Sequence, residues 1–99
     1  MTAYFVAHIR IDDPAEYRKY LEGCDEVFAR FNGRYLAVDT DPIVLEGTPP
    51  QGRTILIRFP SESDLLRWYR SPEYQAILAH RLAGARCDSL LVRGIDETA

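Results

Sequence analysis

The chain has little of what nucleic-acid, membrane and metal proteins need. Lys19 is its one lysine, and scattered arginines make up the rest of 12 basic residues, set against 15 acidic ones. A net charge of −3 without a basic stripe argues against a nucleic-acid partner. No apolar run approaches the roughly 20 residues that cross a bilayer, so no membrane partner is expected. Residues 1–12 alternate as a strand does, with no basic start and no small-residue cleavage site, so no secretion signal is expected. The 2 cysteines, Cys24 and Cys87, lack metal-ligand spacing; in a chain read without an export signal they are expected to be reduced and buried, which points to the cytoplasm. There is no glycine-rich phosphate loop, no HExxH and no paired-cysteine motif, so neither a metal nor a cofactor is expected.

What is there suits one small globular domain. The 99 residues are 46% apolar, enough for a core, which is expected to span about 3–94. A domain of this size buries only about 60–65% of its unfolded surface, so self-association would help it.

Ala3 to Ile11 alternates, with Ala3, Phe5, Ala7, Ile9 and Ile11 on one face and Tyr4, Val6, His8 and Arg10 on the other. Asp13-Pro14 then opens a helix whose apolar residues Tyr17, Tyr20, Leu21, Cys24, Val27, Phe28 and Phe31 recur at helical spacing, up to a stop at Asn32-Gly33. Arg34 to Val38 reads as a second strand, Ile43 to Leu45 as a short one, and Arg53 to Phe59 as a third main strand. Between Ile43–Leu45 and Arg53, Thr48-Pro-Pro-Gln-Gly52 reads as a loop. A broken helix follows over about 61–83. Ser61 caps its first half and Ser71 its second, with Pro72 at a first helical position where a missing N–H costs nothing. Cys87 to Arg93 is the last strand, and 95–99 reads as a frayed tail.

The order β-α-β-β-α-β, with interleaved right-handed crossovers, predicts an α+β, ferredoxin-like subunit. It has an antiparallel four-stranded sheet and both helices on one face. The other face, with Tyr4, Val6, Leu56, Leu90 and Val92, is then bare. Burying such a side chain is worth roughly 1.5–3 kcal/mol, so a homodimer through opposed sheet faces is expected.

Six short motifs fall in register: Ala3-Tyr4; Asp13-Pro14-x-x-Tyr17-x-x-Tyr20; Gly33-Arg34-Tyr35; Leu45-Glu46-Gly47; Phe59-Pro60-Ser61; and Trp68-Tyr69-x-Ser71-Pro72-Glu73-Tyr74. Together they resemble the bacterial family called domain of unknown function 1330, in the dimeric α/β-barrel superfamily, over nearly the whole chain. The resemblance implies a ferredoxin-like subunit and a barrel of two facing sheets, and no established activity. Superfamily relatives include cofactor-free monooxygenases of polyketide-like phenols, muconolactone isomerases, haem-binding enzymes and stress-responsive proteins.

Among residues able to carry chemistry, His8 is the candidate general base, because imidazole titrates near neutrality; the competing reading is a strand histidine hydrogen-bonded across a dimer. Arg10, Arg58 and Arg34 share its face, and converging guanidiniums would grip a small organic anion. Tyr4, Trp68 and Tyr69 are the candidate pocket wall, although aromatics at such spacing also build cores. Ser71 reads as a cap and not a nucleophile. His80 reads as a surface histidine, with haem ligation implied only by analogy. The expected function is a homodimer that binds or transforms a small organic acid or phenol without a cofactor, in a cleft between sheet and helices. The alternative is a non-catalytic dimerisation or stress-response module.

Overall fold

The chain breaks into elements where its capping residues fall. A computed structural model of the protein describes residues 1–48 and 52–95. Strand β1 (Ala3–Ile11) leads into helix α1 (Pro14–Ala29), then strands β2 (Arg34–Asp39) and β3 (Arg53–Phe59). Helices α2 (Glu62–Arg70) and α3 (Pro72–Gly84) precede strand β4 (Ala85–Arg93).

Each helix starts on the expected side chain. Asp13 Oδ1 accepts from the Glu16 amide at 3.2 Å, and Ser61 Oγ from the Asp64 amide at 3.1 Å. Ser71 serves both helices that meet at it. Its Oγ accepts from the Tyr74 amide at 3.1 Å and donates to the Trp68 carbonyl at 2.8 Å. Loss of such a cap costs about 1 kcal/mol. At the end of α1 the left-handed residue is Asn32, with φ of 66°, while Gly33 leaves room for the Phe59 ring, which a Cβ there would meet at 2.7 Å.

The sheet order is β2-β3-β1-β4, with antiparallel pairing throughout. Ala3, Phe5, Ala7 and Ile9 of β1 are buried against the helices, as are Ile55, Ile57 and Phe59 of β3. Ile11 departs from the expected face pattern and is 37% exposed. The β3 partner of β1 runs out at Arg53, opposite Ile9, so Ile11 has a neighbour on one side only. A bulge between Tyr35 and Ala37 turns Leu36 outward and lets Tyr35 pack edge-on to Phe28 at 4.7 Å.

The short strand expected at Ile43–Leu45 does not form. These residues are coil, and Ile43 and Leu45 are 87% and 90% exposed. Three apolar residues make a strand only when an edge is there to pair with, and none of the described strands pairs with them. Of the expected loop at 48–52, residues 49–51 lie outside the described residues, as do 96–99 of the expected tail. No helix among the described residues is long and apolar enough to cross a membrane.

Candidate functional site

Directly opposed residues of antiparallel strands project to the same side. The sheet face away from the helices is therefore laid out in transverse rows. One row holds Arg34, Arg58, Tyr4 and Val92. The next is wholly apolar: Ala37, Leu56, Val6 and Leu90. A third holds Asp39, Thr54, His8 and Asp88. Beyond it Arg10 and Arg86 both reach Asp12, at 3.5 and 3.4 Å. The helices leave this face open: Leu90 is 66% and Val92 42% exposed, and Tyr4, Val6 and Leu56 are half-buried.

The third row floors a half-open cavity of about 620 Å³. His8 and Thr54 lie at its base, and the segment from Thr40 to Glu46, with Gly52, forms its wall. His8 Nδ1 is 3.2 Å from Thr54 Oγ1, a contact that holds the ring in place. Among the described residues, the charged wall residues are Asp41 and Glu46, and no arginine or lysine lines the space. Positive φ at Gly47, 83°, turns the chain at the far end of the wall.

The structure separates the residues that the sequence grouped. Arg58 stands opposite Tyr4, whereas Arg10 lies further along β1, roughly 20 Å away at about 3.3 Å per residue. The two arginines therefore do not converge on one ligand, and Arg10 is held by Asp12. Neither lines the His8 cavity. Trp68 and Tyr69 lie on the other side of the sheet. Trp68 is 0% exposed and its ring sits among Phe5, Phe59, Tyr69 and Tyr74. Tyr69 borders a smaller groove of about 260 Å³ between α2 and β4, with Phe5 and Leu91. The expected cleft between sheet and helices is thus largely filled by core, and the space by His8 lies under a loop on the opposite face. Ser71 is a cap, and His80 on α3 meets Glu16 of α1 at 2.8 Å. Among the described residues no group of three or more histidines, cysteines and acids could hold a metal ion.

Sequence reasoning missed Arg81. It is 2% exposed, on the buried side of α3, where Nη1 donates to Cys87 Sγ at 3.0 Å and the guanidinium lies 5.6 Å from the Tyr20 ring centre. The available signal was spacing: Tyr74, Leu78 and Arg81 fall on one helical stripe. Around it the Tyr20 and Tyr74 hydroxyls meet at 2.8 Å, and Cys24 Sγ lies 3.8 Å from Tyr35 Oη. Burial pushes the phenols of Tyr17, Tyr20, Tyr35 and Tyr74 above the usual tyrosine range, and the thiols of Cys24 and Cys87 above theirs. A raised phenol pKa stabilises the fold fully below the unfolded value of about 10 and is lost as pH climbs through the folded values. In an alkaline titration followed by phenolate absorbance and circular dichroism together, these four tyrosines should ionise only as the chain unfolds.

Residues 2–95 match the family described as domain of unknown function (DUF1330). The chain belongs to that family. Among curated proteins none matches the sequence significantly. Solved structures share the fold of this DUF1330 chain at low identity. A protein of unknown function from Rhodopseudomonas palustris is 17% identical with a TM-score of 0.80, over 96% of this chain and 83% of that one. A dimeric ferredoxin-like protein of unknown function from Jannaschia sp. CCS1 is 10% identical with a TM-score of 0.72, over 95% of this chain and 100% of that one. SnoaB, a cofactor-independent oxygenase from Streptomyces nogalater, is 15% identical with a TM-score of 0.65, over 96% of this chain and 94% of that one.

Proposed function

We propose that this DUF1330 chain is a homodimer of opposed sheets that holds a small, uncharged, hydroxyl-bearing organic molecule, such as a phenol, over His8. The reading is carried by the cavity of about 620 Å³ on the uncovered sheet face, with an imidazole at its base. That volume falls within the range of small-molecule sites, about 300–1,000 Å³. Of the two ligand classes expected from sequence, Asp41 and Glu46 on the wall disfavour the organic acid and leave the phenol. His8 is then the group that accepts the ligand's proton, with Thr54 fixing the ring. The likeness to SnoaB supports cofactor-free chemistry, and the dimeric Jannaschia protein supports the assembly.

A thermal-shift screen of phenols and small acids tests the site. A phenol at a hundred times its Kd adds about 2.7 kcal/mol to the folded state, a shift easily read. The expected result is a saturable rise in Tm with a phenol that is lost in His8→Ala. A screen with no hits, or hits that survive His8→Ala unchanged, would leave the non-catalytic dimerisation module as the better reading.

A further inference from the structure

On the helix side of the sheet, at the end where β1 meets α1, polar groups have been taken out of water without being given partners. Arg81 Nε, Arg53 Nε and Tyr17 Oη are all shielded from solvent and have no hydrogen-bond partner among the described residues. The three residues are neighbours. Arg53 and Cys87 stand on either side of Ile9 in one row of the sheet, Arg81 reaches Cys87 at 3.0 Å, and the Arg53 guanidinium lies 5.8 Å from the Tyr17 ring centre. Ile9, 1% exposed, forms the floor between them, and Tyr17, 1% exposed, comes down from α1.

Among the described residues no carboxylate offsets the charge either. A guanidinium cannot shed its proton to escape burial, so a buried one needs a counter-ion. Among the described residues neither Arg53 nor Arg81 is in an ion pair. Acids on the neighbouring elements are engaged elsewhere: Asp12 pairs with Arg10 and Arg86, and Glu16 with His80 and Lys19, while Asp88 faces the opposite side of the sheet beside His8. The groups that do surround Arg81 are phenols and thiols, which burial holds neutral. Arg53 is only half-buried, so its end of the cluster reaches the surface.

We propose that Arg53, Arg81 and Tyr17 form a binding site for a small carboxylate, which accepts from both guanidiniums and from the tyrosine hydroxyl. Two planar donors and one hydroxyl suit the two oxygens of a carboxylate, each of which accepts more than one hydrogen bond. The site lies on the other side of the sheet from His8 and stands or falls separately from the cavity there.

Sodium acetate, titrated against sodium chloride at equal ionic strength and read by thermal unfolding, tests it on the whole chain. Acetate should raise Tm by several degrees along a saturating curve, and chloride should not. Tyr17→Phe, which removes one oxygen, and Arg53→Gln, at a half-exposed position, should each weaken acetate binding at least about tenfold. Both leave the buried Arg81 in place, and Tyr17→Phe keeps the buried ring, so the fold survives to be measured. Arg86→Gln, which removes an exposed charge at the same end of β4, should leave acetate binding unchanged. Equal responses to acetate and chloride would overturn the site. Wild-type acetate affinity in both Tyr17→Phe and Arg53→Gln would overturn it too.

Discussion

Trp68→Ala should remove most of the stability of the chain. The indole is wholly buried, with ring centres of Phe5, Phe59, Tyr69 and Tyr74 at 5.0, 5.1, 5.9 and 4.2 Å. It is the point at which β1, β3, α2 and α3 meet. Truncating a buried tryptophan costs about 3–5 kcal/mol, and each aromatic pair carries roughly 0.5–1.5 kcal/mol beyond the area it covers. Domains of this size hold only about 5–15 kcal/mol in total. Urea unfolding followed by circular dichroism should therefore show Trp68→Ala losing at least about 3 kcal/mol or failing to fold. Trp68→Phe should fare better than its lost volume suggests, because the indole N–H has no partner among the described residues and its removal relieves a buried orphan. A loss below about 1 kcal/mol for Trp68→Ala would mean that another residue holds the helix break to the sheet.

Leu56→Asp should separate the proposed dimer into folded monomers. Leu56 lies in the apolar row with Val6 and Leu90, half-buried in the single chain and pointing away from the core. The subunit tolerates a carboxylate there, since the position is only half-buried and faces away from its own helices. Two-fold symmetry brings the new charge into the interface twice. An uncompensated buried charge costs about 3–5 kcal/mol, so the dimer Kd should rise at least about a thousandfold. Light scattering after size exclusion, with circular dichroism as the check on fold, reads both outcomes. A variant still dimeric at micromolar concentration would place the interface on another surface and undo the opposed-sheet reading.

The elements are legible in the sequence because their signals are local. Asp13, Ser61 and Ser71 act within three residues of themselves, and alternation along β1 and β3 depends only on which side is buried. The strand expected at Ile43–Leu45 fails because strand formation needs a partner edge, and three apolar residues carry no information about one. The expected grip by Arg10 and Arg58 fails on register. Face is a property of parity along a strand, but distance along the face depends on which residues pair, and Tyr4 pairs with Arg58. Arg81 escapes notice in the sequence because a charged residue is assumed to face water. Its helical phase relative to Tyr74 and Leu78 places it inside. His8 stands out from its own strand, but the wall over it comes from 40–46, a segment whose irregular path leaves no periodic trace.

The order of the strands has a consequence for biosynthesis. β1 is made first yet lies in the interior of the sheet, with β3 on one side and β4 on the other. A nascent chain therefore carries a strand with two naked edges, one until β3 leaves the ribosome and the other until Arg93 does. The sheet cannot close until β4 has emerged, which leaves the unfinished polypeptide open to capture by a second nascent copy or a chaperone.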